Sequence, residues 1–188
     1  MSRFLAFKLT VFALLASNAV VYAAAGTGNE ALDSAAWFVL LVLFEVETGL
    51  GTVKQHRGAA PAIRLIRFLA ALAIAAAALG YVRDEAWLDA INATLWIGVV
   101  ALLEFEVRWP VAAATHRAAF LTVASSLYAA LAAIVLVWAW QGEWFDAYDG
   151  LLWLVAFVAI ELNVQQASRH EARNASSGEG LAEVGDKP

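Results

Sequence analysis

The chain has 188 residues, 62% of them hydrophobic and only 15% charged, with a net charge of −5 and no cysteine. A soluble domain of this length carries roughly 25% charged residues, so an ordinary soluble fold is excluded, as are disulfides, thiol catalysis and thiolate metal sites. No basic cluster offers a footing for nucleic acid.

The apolar runs define the elements in chain order. Phe4–Ala25, Ala35–Phe44 with its continuation past two Glu, Ile66–Tyr81, Thr94–Leu103, Ala118–Trp140 and Leu151–Ile160 are long and weakly interrupted. Several approach the roughly 17–25 residues that cross a bilayer as a helix, and at such lengths only a helix satisfies its own backbone in lipid. The first run follows Arg3 and Lys8 and ends in Tyr22-Ala23-Ala24-Ala25, a pattern shared with secretory signals. Its counterparts later in the chain favour a retained helix.

Those counterparts form a repeat. AAWFVLLVLFEVET, TLWIGVVALLEFEV and LLWLVAFVAIELNV align Trp37, Trp96 and Trp153, and eight positions on align Glu45, Glu104 and Glu161. Four positions before each Trp stand Asp33, Asn92 and Asp149, and seven before stand Glu30, Asp89 and Asp146. Asp33, Asn92 and Asp149 read as N-caps ahead of apolar helices. The fold expected is an all-α integral membrane protein of six transmembrane helices, near 4–25, 34–52, 62–82, 93–109, 117–140 and 150–166. These group into three parallel two-helix repeats (1–58, 59–115 and 116–166) about a pseudo-threefold axis along the membrane normal. One helix of each pair should line the axis, and Ala70–Gly80 is rich in small residues that allow close helix approach. The composition of 167–188 predicts a disordered tail.

Lys and Arg set the orientation. Eleven of the twelve fall on one side, with Arg83 alone on the other, which places both termini in the cytoplasm of a bacterium and the protein in its inner (plasma) membrane. Glu30, Asp89 and Asp146 then form an outer acidic rim. Seven tryptophans (37, 87, 96, 138, 140, 144 and 153) lie near the same face and read as an interfacial belt.

Counting from the apolar start of each capped helix puts Glu45, Glu104 and Glu161 ~15 Å deep at 1.5 Å per residue, near the midplane of a ~30 Å core. A charge there faces the bundle interior, a partner or water. Glu47 and Glu106 lie two residues on and point elsewhere. Lys8 and Arg67 stand at matching positions in the first helices of the same two repeats, while the third repeat has Asn163 and no base. Structural ion pairs Glu47–Lys8 and Glu106–Arg67 are therefore expected, which leaves Glu45, Glu104 and Glu161 without bases.

Three such carboxylates either hold a hard cation such as Ca²⁺ or Mg²⁺, becoming a metal site, or keep protons. The expected function is a small-cation or proton channel or transporter with that ring as its site. The alternative is a non-transporting membrane subunit whose Glu act as packing glue within a larger complex. The expected partners are the lipid bilayer and the ion, with room for a homo-oligomer or membrane complex, and no organic cofactor. His56, His116 and His170 each adjoin an Arg and read as solvated flanks. No nucleophile, phosphate-loop or His-metal spacing points to an enzyme.

Overall fold

The computed structural model describes residues 3–49 and 60–157, with the side chains of 3, 4, 47–49, 60 and 107 excepted. The described chain is all-helical: α1 (Arg3–Ala25), α2 (Gly28–Gly49), α3 (Ala60–Arg83), α4 (Trp87–Arg108), α5 (Pro110–Thr115), α6 (Arg117–Gln141) and α7 (144–157). Four helical stretches, Leu5–Ala25, Pro61–Arg83, Trp87–Glu106 and Arg117–Gln141, are long and apolar enough to cross a membrane. The tail expected at 167–188 lies outside the described residues.

The second helix of each hairpin begins earlier than the sequence suggests. α2, α4 and α7 start at 28, 87 and 144, whereas starts at 34, 93 and 150 were expected. Asp33, Asn92 and Asp149 are therefore not N-caps but lie more than a turn inside their helices. The reason is local. In Thr27-Gly28-Asn29-Glu30, the Glu30 carboxylate accepts from the Thr27 backbone N–H at 2.5 Å, and the Glu30 N–H donates to the Thr27 hydroxyl at 3.3 Å. This reciprocal pair is a capping box. Glu30, Asp89 and Asp146 each occupy the third helical position, where a carboxylate meets unpaired N–H groups and the positive end of the helix dipole.

The turns between hairpin arms are tight. Gly142, at φ 89°, ends α6 in the left-handed conformation, and its N–H returns to the carbonyls of Ala139 and Trp138. Glu85 takes the same region at φ 58° after α3, without glycine's freedom.

The helices close into a ring. α2 packs on α1 and α3, and α4 on α3 and α6. α6 meets α7 where Gly150 lies against Val135 and Trp138. α7 returns to α1 through Tyr22, whose ring meets Phe145 edge-on at 5.0 Å. α3 approaches α2 closely at Gly80, where a Cβ would collide with the Asn29 side-chain amide. The small-residue run thus serves close approach, with Ala70 and Ala77 buried.

The core runs down the centre of this ring. Trp37, Trp96 and Trp153 are 8%, 5% and 8% exposed and meet one another at 6.3, 6.3 and 6.5 Å between centroids. Leu41, Val99 and Ala156 continue the cluster, with Val11, Leu15, Ile74 and Leu131 from the flanking helices. Four of the seven tryptophans expected in an interfacial belt are thus buried, namely these three and Trp138. Trp87, Trp140 and Trp144 are exposed and remain eligible for it. The indole is equally at home in both settings, so composition does not separate them.

Candidate ligand cup at the acidic end

The site is built from a face repeated on α2, α4 and α7. Glu30, Asp33 and Trp37 lie on one helix stripe, as do Asp89, Asn92 and Trp96, and Asp146, Asp149 and Trp153. The spacing i, i+3, i+7 keeps each set on one side of its helix. Because each helix begins at the same point of this pattern, the three stripes reach the same level. They enclose a cavity of about 50 Å³. A void of this size has room for several water molecules or a small cation.

Glu30, Asp33, Asp89, Asp146 and Asp149 supply five carboxylates to its lining, and Tyr22, Tyr81 and Trp138 stand in the wall. The three central tryptophans line it as well. Among the described residues the lining contains no Lys, Arg or His.

The wall residues are tied to the acids across helices. Tyr22 donates from its hydroxyl to Asp146 Oδ1 at 2.8 Å, and the buried Asn18 donates from Nδ2 to Asp149 Oδ1 at 2.7 Å. Both bonds join α1 to α7, the first and last described helices. Asp33 and Trp37, and Asp149 and Trp153, lie one turn apart on their helices, and with Tyr81 of α3 they line the same cavity. Asp33 Oδ1 is buried and has no hydrogen-bond partner among the described residues. Just outside the cup, Asn29 donates to Asp84 at 2.6 Å.

Asp33, Asp146 and Asp149 precede the apolar runs of their helices, and their environment favours the proton. Burial pushes the Asp33 carboxyl up to about 7; the Trp37 hydrogen bond opposes the rise and the charges of Asp149 and Asp89 add to it. Burial likewise raises Asp149 to about 6 against the Asn18 hydrogen bond, and raises Asp146 against that of Tyr22.

The opposite, basic end differs from expectation. Lys8 pairs with Glu45, where Glu47 was expected, and the Glu47 side chain lies outside those described. Glu104 accepts from Arg108 Nη2 at 2.6 Å and Nε at 2.7 Å, one turn along α4. Glu106 pairs at 3.0 Å with Arg117 across α5, where Arg67 was expected. Glu161 lies outside the described residues. A ring of carboxylates without bases is therefore not what Glu45 and Glu104 form. The earlier helix starts explain part of this. Each Glu lies four residues before the end of its helix and ~25 Å from its start at 1.5 Å per residue, within reach of the basic flank.

The acidic rim, by contrast, is brought together. The structure places Glu30, Asp89 and Asp146 around one cavity together with Asp33 and Asp149 of the same acidic turns, and adds Tyr22 and Tyr81, which the sequence did not point to. The aligned Asp/Asn column carries the signal for Asp33 and Asp149. Tyr22 and Tyr81 also align, eight residues before Glu30 and Asp89.

No protein-family model matches the chain, and neither a curated protein nor a solved structure matches it.

Proposed function

We propose that this chain is a multi-pass membrane protein that takes up a small cation or a proton in the acidic cup at its outer end. In this reading α1, α2, α3, α4, α6 and α7 are six spans of three parallel hairpin repeats, with both termini cytoplasmic in a bacterial plasma membrane. The repeat reading is supported by Glu/Asp, Asp/Asn and Trp recurring at matched positions of α2, α4 and α7, and by the near-equal separations of Trp37, Trp96 and Trp153. The orientation is supported by the Lys and Arg distribution.

One observation carries the functional reading: five carboxylates line a cavity of about 50 Å³ with no basic side chain in its lining among the described residues. Such a group is stabilised by a cation or by bound protons, because like charges at low dielectric cannot all remain ionised alone. A monovalent cation, a small ammonium or a hard cation with its water shell would each meet this need. The cup is the entry site of a cation or proton pathway, and passage beyond it requires the tryptophan triad to part.

The non-transporting subunit is favoured by a different observation, the apolar filling beneath the triad by Leu41, Val99 and Ala156. Reconstitution into vesicles separates the two. Proton or cation flux that falls in Asp33→Asn and Asp149→Asn supports a pathway through the cup. Cation binding that those substitutions weaken, with no flux from either wild type or variants, supports a binding subunit. The cup reading fails if wild-type protein shows neither flux nor binding of protons, Na⁺, Ca²⁺ or tetramethylammonium.

A further inference from the structure

The cup is as aromatic as it is acidic. Six of its fourteen lining residues are tryptophan or tyrosine, and they fall into two aligned columns of the sequence. Trp37, Trp96 and Trp153 form the floor. Tyr22, Tyr81 and Trp138 stand eight residues before Glu30, Asp89 and Asp146, so α1, α3 and α6 each contribute one wall ring. We infer that the cup is shaped for a small methylated ammonium ion, whose charge meets the acids while its methyl groups lie against the rings. The inference rests on the reading of the cup as a cation site and names the class of cation.

The rings are fixed by packing that needs no ligand. The floor indoles meet one another at 6.3 to 6.5 Å, tilted by 58 to 62°. Tyr22 donates from its hydroxyl to Asp146 at 2.8 Å and packs its ring edge-on against Phe145 at 5.0 Å. Trp138 is 6% exposed and lies against Gly150 of α7, where an added Cβ would stand 3.2 Å from the indole. Tyr81 is equally buried. Walls already ordered lose little freedom on binding, which favours affinity.

The chemistry of the lining separates the cations. A hydrated metal ion needs oxygen acceptors around its whole water shell, and an indole offers none. A methylated ammonium carries no such shell. Its methyl groups take apolar contact, and its charge is attracted to aromatic rings, tryptophan above all. Size agrees: at ~10–15 Å³ per water, a cavity of about 50 Å³ holds about four waters, the bulk of an ammonium nitrogen with its methyl groups. The charge also has a defined counterpart. Three of the five carboxylates accept from neutral donors, Glu30 from the Thr27 N–H, Asp146 from Tyr22 and Asp149 from Asn18. Asp33 Oδ1 is buried without a hydrogen-bond partner among the described residues. A methylated ammonium satisfies such an oxygen by charge alone, without a directed N–H.

The test is isothermal titration calorimetry on full-length protein in nanodiscs, with tetramethylammonium, Na⁺, Ca²⁺ and the neutral isostere tert-butanol as probes. Tetramethylammonium should bind tighter than each of the other three by about tenfold or more, and Asp33→Asn should weaken it. Trp138→Leu should weaken it roughly 5- to 30-fold, the range for one cation–π contact away from water. Trp138→Phe, which keeps a ring, should lose less. Na⁺ or Ca²⁺ binding as tightly as tetramethylammonium overturns the inference and leaves the cup reading standing, as does uptake of protons alone. Equal affinity for tert-butanol overturns it too, since the charge would then play no part. Unchanged affinity in folded Trp138→Leu protein removes the rings from recognition. The comparison of probes on wild-type protein decides the matter even where a variant fails to fold. If neither cation nor proton binds, the cup reading itself falls.

Discussion

Trp37 and Trp153 come from the first and last hairpins, yet their rings meet edge to face at 6.3 Å, and both touch Trp96 at nearly the same separation. Aromatic rings prefer such tilted approaches over face-to-face stacking because the positive edge of one meets the negative face of another. Three large side chains from three helices thus fix the rotation of α2, α4 and α7 about their own axes. That rotation carries the carboxylates at i−7, and Asp33, Asn92 and Asp149 at i−4, into a common cavity. The triad is the element on which the site is built.

Trp96 is only 5% exposed and also lies 4.7 Å from the Phe157 ring. Trp96→Ala should cost about 3–5 kcal/mol, the range for removing a large buried aromatic, and Trp96→Phe clearly less. Thermal unfolding in detergent, followed by circular dichroism, measures the difference. The exposed Trp140→Ala, at 87% exposure, should leave the melting temperature close to wild type. Equal losses at the two positions would remove the triad from its central role.

Stability should depend on pH through the cup. Asp33 is raised from 3.8 to about 7 and Asp149 from 3.8 to about 6, chiefly by burial. A raised carboxyl binds its proton more tightly in the folded state. Its contribution is complete below pH 3.8 and is lost as pH climbs through 6 and 7. The melting temperature should therefore fall between about pH 5 and about pH 8. Asp33→Asn, which keeps the size of the side chain and removes the buried charge, should flatten the fall and match or exceed wild type at the upper end. A melting temperature that rises across this interval would contradict the assignment.

What the sequence disclosed divides by the range of the interaction. Apolar runs and the Trp, Glu and acidic columns are local in the sequence, and the acidic rim at Glu30, Asp89 and Asp146 could be read from them. Helix starts were misjudged because Asp33, Asn92 and Asp149 are good caps in isolation. The Thr27–Glu30 box further upstream wins by satisfying two N–H groups reciprocally. The Lys8–Glu45 and Arg117–Glu106 pairs were not foreseen because ion-pair partners depend on helix rotation, which the pattern of charges does not set. Lys8 has a long, flexible stem and takes Glu45, although its spacing suits Glu47 equally well. The cavity itself needed three helices at one level, a relationship that no single segment carries.

The Lys8–Glu45 pair joins α1 to α2 at the basic end, with side chains 26% and 31% exposed. Partial exposure screens the attraction, so the pair should be worth little more than a surface bridge. A double-mutant cycle of Lys8→Met and Glu45→Gln should give a coupling of about 0.5–1 kcal/mol, with the double variant more stable than the two single losses predict. Chemical unfolding in mixed micelles provides the four values. A coupling of zero would mean that the pair is incidental to the docking of α1 on α2.

The two hairpin turns with left-handed residues make a paired prediction of opposite sign. Gly142 sits at φ 89° with open space around its missing Cβ, so Gly142→Ala would pay only for backbone strain. Glu85 holds φ 58° with a full side chain. A left-handed conformation costs an L-residue roughly 1–2 kcal/mol that glycine avoids. Part of this is returned because glycine gains more freedom in the unfolded chain. Glu85→Gly should therefore raise stability by about 0.5–1 kcal/mol, and Gly142→Ala should lower it by about 1 kcal/mol. Glu85 does not line the cup, so its substitution should leave the pH dependence of unfolding in place while shifting the whole curve upward. Melting curves at two pH values for both variants test this directly. A Glu85→Gly protein that melts lower than wild type would show that the turn after α3 draws its stability from the Glu85 side chain and not from relief of its backbone.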